Sequence, residues 1–356
     1  MAQNATTDPS EVTELISIFK QWDMQALPIS GGEPGIGFAI NGSERVYALN
    51  KRGVFPEEYV ALRYLTYLKI DQNYFTGPLP AFVGNMSVLM VLSIAINSFS
   101  GPIPKELGNL KELTVLSFGS NNFSGTLPPE LGNLVKLEQF YMDSCGLSGE
   151  IPSTFAKPIN IWASNIPSSG KIPAFIGNWT KLTALRFQGN SFEGPIPASF
   201  SQLTSLNSLR ISDIYYVSSS LDFIRNLKNL TDLVLRNTLI NGSIPTYFGQ
   251  YQDLQILDLD FNNLTGELPS SLFNMSSLTY FLSGPLPSQK RNQLQTIGLS
   301  YSYFSGSFPP WVTTISQLNL VVNNFTFNSS NITGIFHAIE IPHDMQTSQS
   351  SVEDHK

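Results

Sequence analysis

The chain has a single cysteine, Cys145, in 356 residues, so no internal disulfide can form and the cysteine content points to no oxidising compartment. Charge is scarce too: Asp, Glu, Lys and Arg make up 13% of the residues, with a formal net charge of −7. No run of Lys or Arg could track a phosphate backbone or lay a basic helix on a bilayer, which argues against nucleic acid and against that kind of membrane binding. No apolar stretch is long enough to span a bilayer, and the start, Met1 to Ala5, lacks the charged and apolar regions of a secretory leader. Taken literally, these absences describe a soluble chain that starts in the cytosol.

Chemistry-bearing motifs are missing as well. The three histidines, His337, His343 and His355, lie near the C-terminus, and their spacing with Asp344 and Asp354 fits no compact ligand set, so no metal and no cofactor is expected. The segment from Gly31 to Gly37 is glycine-rich but has neither dinucleotide-binding spacing nor the Lys-Ser/Thr of a phosphate loop, and reads as a turn. Without a His-Arg-Asp loop, an Asp-Phe-Gly, a G-x-S-x-G elbow or a set-apart pair of carboxylates, no enzyme is expected.

What is present is a ruler. Pro56, Pro80, Pro104, Pro128 and Pro152 stand 24 residues apart, and the period reads as Leu-x-x-Leu-x-Leu-x-x-Asn-x-Phe/Leu-x-Gly-x-Ile/Leu-Pro, clearest from Leu65 to Pro80, Leu89 to Pro104 and Leu113 to Pro128. The spacing shortens once, to Pro173, resumes at Pro197, skips a proline near Leu221, continues through Pro245 and Pro269, and is compressed at Pro287 and Pro309. A repeat of about 20–29 residues with this leucine pattern predicts a leucine-rich-repeat solenoid. The expected fold is α/β but β-dominated, a horseshoe or superhelix with a parallel sheet on its concave face and short helical or 3-10 segments on the convex side. No coil buries its own apolar face, so stability comes from stacking.

Three regions follow. Residues 1–45 read as a shortened helical cap, with an amphipathic stretch ending near Trp22. Residues 46–332 hold about eleven to twelve coils by the repeat length. Residues 333–356 lose the period and read as a disordered tail.

Asn73, Asn97, Asn121, Asn190, Asn262 and Asn323 share one offset, where an amide can bond backbone groups of neighbouring coils; Cys145 and Thr238 stand where that asparagine is expected. Phe75, Phe99, Phe123, Phe192, Phe304 and Phe325, two residues further on, read as a buried spine. Ligand contacts should show as columns between the strand leucines. Lys69, Ser93, Ser117, Tyr141, Arg186, Arg210, Val234 and Asp258 form one column, and Asp71, Asp143, Gln188, Ser212, Arg236 and Asp260 another. Arg186, Arg210 and Arg236 make a basic cluster suited to a carboxylate or sulfate, and Tyr141 could stack on a ring. Lys69 and Asp258 complete the candidate set. Against this stands an ordinary surface on which Asp213, Asp232 and Asp258 neutralise the arginines.

Asn-x-Ser/Thr sequons occur at Asn4, Asn41, Asn85, Asn122, Asn178, Asn229, Asn241, Asn263, Asn274, Asn324, Asn328 and Asn331. An Asn- and Ser-rich repeat generates sequons by chance, but a surface this poor in charge is better solubilised by glycans, which favours a secretory chain. Asn85, Asn178 and Asn274 fall toward the convex side, whereas Asn122, Asn263 and Asn324 share an offset past the asparagine ladder.

The repeat resembles the plant-type leucine-rich repeat. The phrases Thr7 to Val12, Lys181 to Pro197, Leu209 to Asp213, Ser220 to Ile224 and Gly306 to Val312 are similar to those of plant receptor-like serine/threonine kinases whose repeat ectodomain continues into a malectin-like domain, a membrane span and a kinase. The resemblance implies a non-enzymatic recognition module on the extracellular face of the plasma membrane or in the wall. Its partners would be a peptide, a saccharide or a co-receptor ectodomain. That family closes its cap and the end of its repeats with cysteine pairs, which this chain lacks, and nothing after Phe336 resembles the later domains. The other readings are a secreted decoy or inhibitor, and a truncated product with no role of its own.

Overall fold

The computed structural model describes residues 44–47, 52–62, 64–155, 158–166, 169–265 and 271, together with the strands Tyr280–Leu282, Thr296–Gly298, Ser305–Ser307, Gln317–Asn319 and Asn324–Thr326. The cap expected over residues 1–45 falls outside these except for its last two residues, and the tail expected over 333–356 and the three histidines fall wholly outside. The chain divides into two compact units: residues 1–175 with 189–191, and residues 176–188 with 192–356.

In the first unit β1 (Glu44–Tyr47), β2 (Leu65–Lys69), β3 (Val91–Ser93), β4 (Val115–Ser117), β5 (Gln139–Tyr141) and β6 (Asn160–Trp162) pair in that order, all parallel. In the second, β7 (Ala184–Phe187), β8 (Ser208–Ser212), β9 (Asp232–Arg236) and β10 (Ile256–Asp258) do the same, followed by Tyr280–Leu282, Thr296–Gly298 and Gln317–Asn319. A second row of short parallel strands (Arg52–Val54, Tyr74–Pro78, Ser98–Gly101, Asn122–Phe123) runs along the first unit, and Asn241–Gly242 pairs with Asn263–Leu264 in the second.

Each coil follows from its sequence. The leucines of the repeat turn inward, as at Leu65, Leu68 and Ile70, then Leu89, Leu92 and Ile94, all at most 1% exposed. After the outer strand a proline, such as Pro80 or Pro104, precedes a 3-10 turn (Ala81–Asn85, Lys105–Asn109). Its fixed φ suits a helix entry where no N–H partner is available. The glycine inside that turn permits coil stacking: a Cβ on Gly108 would stand 2.3 Å from the Glu130 carbonyl oxygen of the next coil.

Asparagine amides tie successive coils together. Asn97 Nδ2 donates to the carbonyls of Ile70, Ile94 and Ala95 at 2.9, 3.1 and 3.1 Å, and its Oδ1 accepts from the Phe75 N–H at 3.1 Å. Asn121 repeats the pattern toward Ile94, Phe118 and Gly119, and Asn73 bonds within its own coil. Asn190 donates to Ala163 O and accepts from Ile166 N, and Asn262 donates to the carbonyls of Leu235, Leu259 and Asp260. Thr238 substitutes a hydroxyl, donating to Leu235 O at 3.1 Å, while Cys145 is fully buried. Asn323 lies outside the described residues.

Phe75, Phe99, Phe123 and Phe192 are at most 2% exposed. Successive rings stack, Phe75 on Phe99 at 5.9 Å and Phe99 on Phe123 at 6.2 Å between centroids. Phe304 lies outside the described residues, and of the Phe325 side chain nothing is described.

Candidate functional site

Side chains alternate along a strand, so those between the inward leucines line the opposite face of the sheet. In the first unit the register carries Lys69 beside Ser93, Ser93 beside Ser117, Ser117 beside Tyr141, and Tyr141 beside Trp162. In the second it carries Arg186 beside Arg210, Arg210 beside Val234 and Val234 beside Asp258. Neighbouring strands lie about 4.8 Å apart, so Arg186 and Arg210 project side by side.

Arg236 lies one strand beyond Arg210 and two residues further along. It faces Ser212 in register, and its guanidinium packs over the Phe261 ring at 4.5 Å and lies 3.7 Å from the Asp260 carboxylate. The acids are also deployed differently from the neutralising set expected. Asp232 pairs with Arg210 at 2.8 Å, but Asp213 accepts from the Ser212 hydroxyl and the Asn237 amide, and Asp258 accepts from the Asp260 N–H. The reason is reach: each carboxylate bonds a donor on its own or an adjacent coil, and short Asp side chains do not cross two strands.

One feature of this face has unspent hydrogen-bonding capacity. Ser208, two residues before Arg210 on β8, is 8% exposed, and its hydroxyl has no hydrogen-bond partner among the described residues; nor has the Nε of Arg210. A buried polar group left without a partner costs about 1–3 kcal/mol. Both atoms are closed to solvent, so what this face offers outward is the part-exposed arginine pair itself.

Trp162 escaped the column comparison. The coil between Pro152 and Pro173 is 21 residues long, three short of the repeat, so a 24-residue step from Tyr141 passes over it. In the structure its ring meets Tyr141 at 4.7 Å, tilted by 56°, while the Tyr141 hydroxyl donates to Gln139 Oε1 at 2.9 Å. The shortened proline interval was the available signal.

Elsewhere in the second unit Arg225 and Lys228 rest on the Tyr247 ring at 5.0 and 5.5 Å. Burial, together with Arg225, lowers the Lys228 pKa, and burial pushes the Tyr247 phenol up to about 12. Among the described residues no three His, Cys, Asp or Glu side chains converge as a metal site would require, and no helix is long and apolar enough to cross a membrane.

The sequons Asn85, Asn122, Asn178, Asn229, Asn241 and Asn263 are all exposed. Asn85 and Asn178 end 3-10 turns, Asn229 lies between such a turn and β9, and Asn122, Asn241 and Asn263 lie in outer strands, so none projects from the face of the main sheet. Asn274, and the side chain of Asn324, are outside what is described.

Leucine Rich Repeat models match residues 112–134, 136–158, 181–203 and 253–275. The chain is 38% identical over 119 residues to a probable leucine-rich-repeat receptor-like serine/threonine-protein kinase of Arabidopsis thaliana, covering 32% of this chain and 11% of that protein. It is 32% identical over 115 residues to Arabidopsis receptor-like protein 41, covering 28% and 13%. Among solved structures it superposes on a TDR receptor with a TM-score of 0.71 at 27% identity, covering 92% of this chain and 60% of that one. The PEPR1–AtPEP1 structure gives 0.68 at 27%, covering 94% and 54%. The Arabidopsis receptor kinase HAESA, in complex with the peptide hormone IDA and the co-receptor SERK1, gives 0.67 at 27%, covering 77% and 52%. The matched stretches are thus about a tenth of the curated relatives and somewhat over half of the solved chains. Repeats, sheet and neighbours together define a leucine-rich-repeat protein. It is related to plant leucine-rich-repeat receptor kinases and receptor-like proteins and resembles their ectodomains.

Proposed function

We propose that the protein is a non-enzymatic recognition module, the extracellular sensor part of a plant receptor whose signal passes through other domains. Its ligand is a peptide, a saccharide or a co-receptor ectodomain, gripped through an acidic or carbonyl oxygen by the face of β7 and β8. The observation that carries this reading is the register that sets Arg186 beside Arg210 on paired strands, both side chains part-exposed. An acidic oxygen held between two neighbouring guanidinium groups gains charge-assisted hydrogen bonds. The kinships support an extracellular setting, and the phrases shared with malectin-containing kinases support that subtype as the parent.

The test is capture of ligands from fractionated apoplastic fluid on the immobilised, secreted protein, compared with the Arg186→Ala/Arg210→Ala double variant. The proposal expects a retained fraction whose affinity falls at least about tenfold in the variant, roughly 1.4 kcal/mol. Equal retention by both proteins, with the variant's thermal unfolding unchanged, would overturn it.

A further inference from the structure

The first unit carries a second surface of different chemistry. On β5 and β6 the register sets two amides side by side, Gln139 and Asn160, and two residues on sets two aromatic rings side by side, Tyr141 and Trp162. All four are partly exposed, and none carries a charge. The rings touch at 4.7 Å, and the Tyr141 hydroxyl is held by Gln139 Oε1, so the ring is fixed in place rather than free to rotate away. Beyond Tyr141 the same row continues across the strands to the part-exposed Ser117; Ser93 after it is buried and donates its hydroxyl to Asp71.

We propose that Tyr141 and Trp162, with Gln139 and Asn160, form a platform for a neutral oligosaccharide. Each part answers a need of that ligand. A pyranose presents a face of C–H groups that packs on an aromatic ring, and Tyr and Trp bring large apolar area with little conformational freedom to lose. Its hydroxyls are donors and acceptors at once, as an amide is, so the part-exposed edges of the paired amides one step along the strands, the Gln139 NH2 among them, can meet neighbouring hydroxyls. A sugar chain lying across the strands then passes from the rings onto the Ser117 hydroxyl. The absence of a cation among these residues separates this surface from the arginine face of β7 and β8 and selects against acidic ligands.

The test uses the intact, folded protein and the probe β-1,4-linked glucohexaose, titrated by calorimetry and by tryptophan fluorescence. The expected result is saturable binding with a fluorescence change that disappears in Trp162→Ala, an affinity loss of about tenfold in that variant and in Tyr141→Ala, and a smaller loss in Asn160→Ala. Lys136→Ala, at an exposed position before β5, binds the sugar normally, and the hexaose carries no acidic group, which keeps this outcome distinct from that of the arginine face. Thermal unfolding of each variant separates a lost contact from a lost fold, and Trp162→Phe, which retains a ring, recovers much of the affinity. No saturable binding of the hexaose or of the corresponding β-1,3-linked oligomer overturns the proposal. So does binding that folded Trp162→Ala leaves unchanged, or a Trp162 fluorescence response given by peptides and not by sugars.

Discussion

Single asparagines carry much of the cohesion between coils. Asn97 supplies one amide to three carbonyls and one N–H. Asn97→Ala strands those groups between coils, and the expected cost is about 2–3 kcal/mol, read as a lowered denaturation midpoint. Cys145 shows what a departure from the ladder does: burial pushes its thiol up to about 11. A group kept protonated by folding contributes that stability below its unfolded pKa and loses it as pH rises toward the folded one, so this contribution fades between about pH 9 and about pH 11. At pH 8 the native thiol should resist alkylation and react only on unfolding, and rapid labelling of the folded protein contradicts this burial. The ladder offset and the places of Cys145 and Thr238 were legible because they ride on the leucine period. The fate of Arg236 was not, since its pairing with Asp260 and Phe261 depends on side-chain direction, which a column of letters does not carry.

At the level of the coil, proline, turn and glycine act together. Proline sets the entry, the 3-10 turn reverses the chain, and glycine lets the next coil close on it. A methyl at Gly108 would meet the Glu130 carbonyl at 2.3 Å, so Gly108→Ala must push two coils apart. Overpacking of this kind costs about 1–3 kcal/mol, and the expected lowering of Tm is checked by calorimetry. Where the proline is missing before Leu221, Ser220 takes its place: its hydroxyl accepts from the Asp222 N–H at 3.3 Å and the turn Leu221–Ile224 still forms. Regular coils could therefore be placed from the sequence almost to the residue, and the proline gap did not hide a coil. The 21-residue coil did hide Trp162, because a deletion inside a repeat shifts the column without leaving a mark in the motif.

For the whole molecule, the recognition reading depends on which surfaces stay bare outside the cell. The six described sequons are exposed and lie on the 3-10 turns, the adjoining turn and the outer strands, while the arginine pair and the Tyr141–Trp162 platform lie on the faces of the main strands. Glycans at those asparagines would coat the flanks, supply the solubility that a 13% charged composition does not, and leave both faces open. The direct test is glycopeptide mapping of the protein isolated from its native tissue. An extracellular module carries N-glycans at Asn85, Asn122, Asn178, Asn229, Asn241 and Asn263, or at most of them. Unmodified asparagine at all six would mean that the chain never entered the secretory route, and would contradict its role as an extracellular sensor.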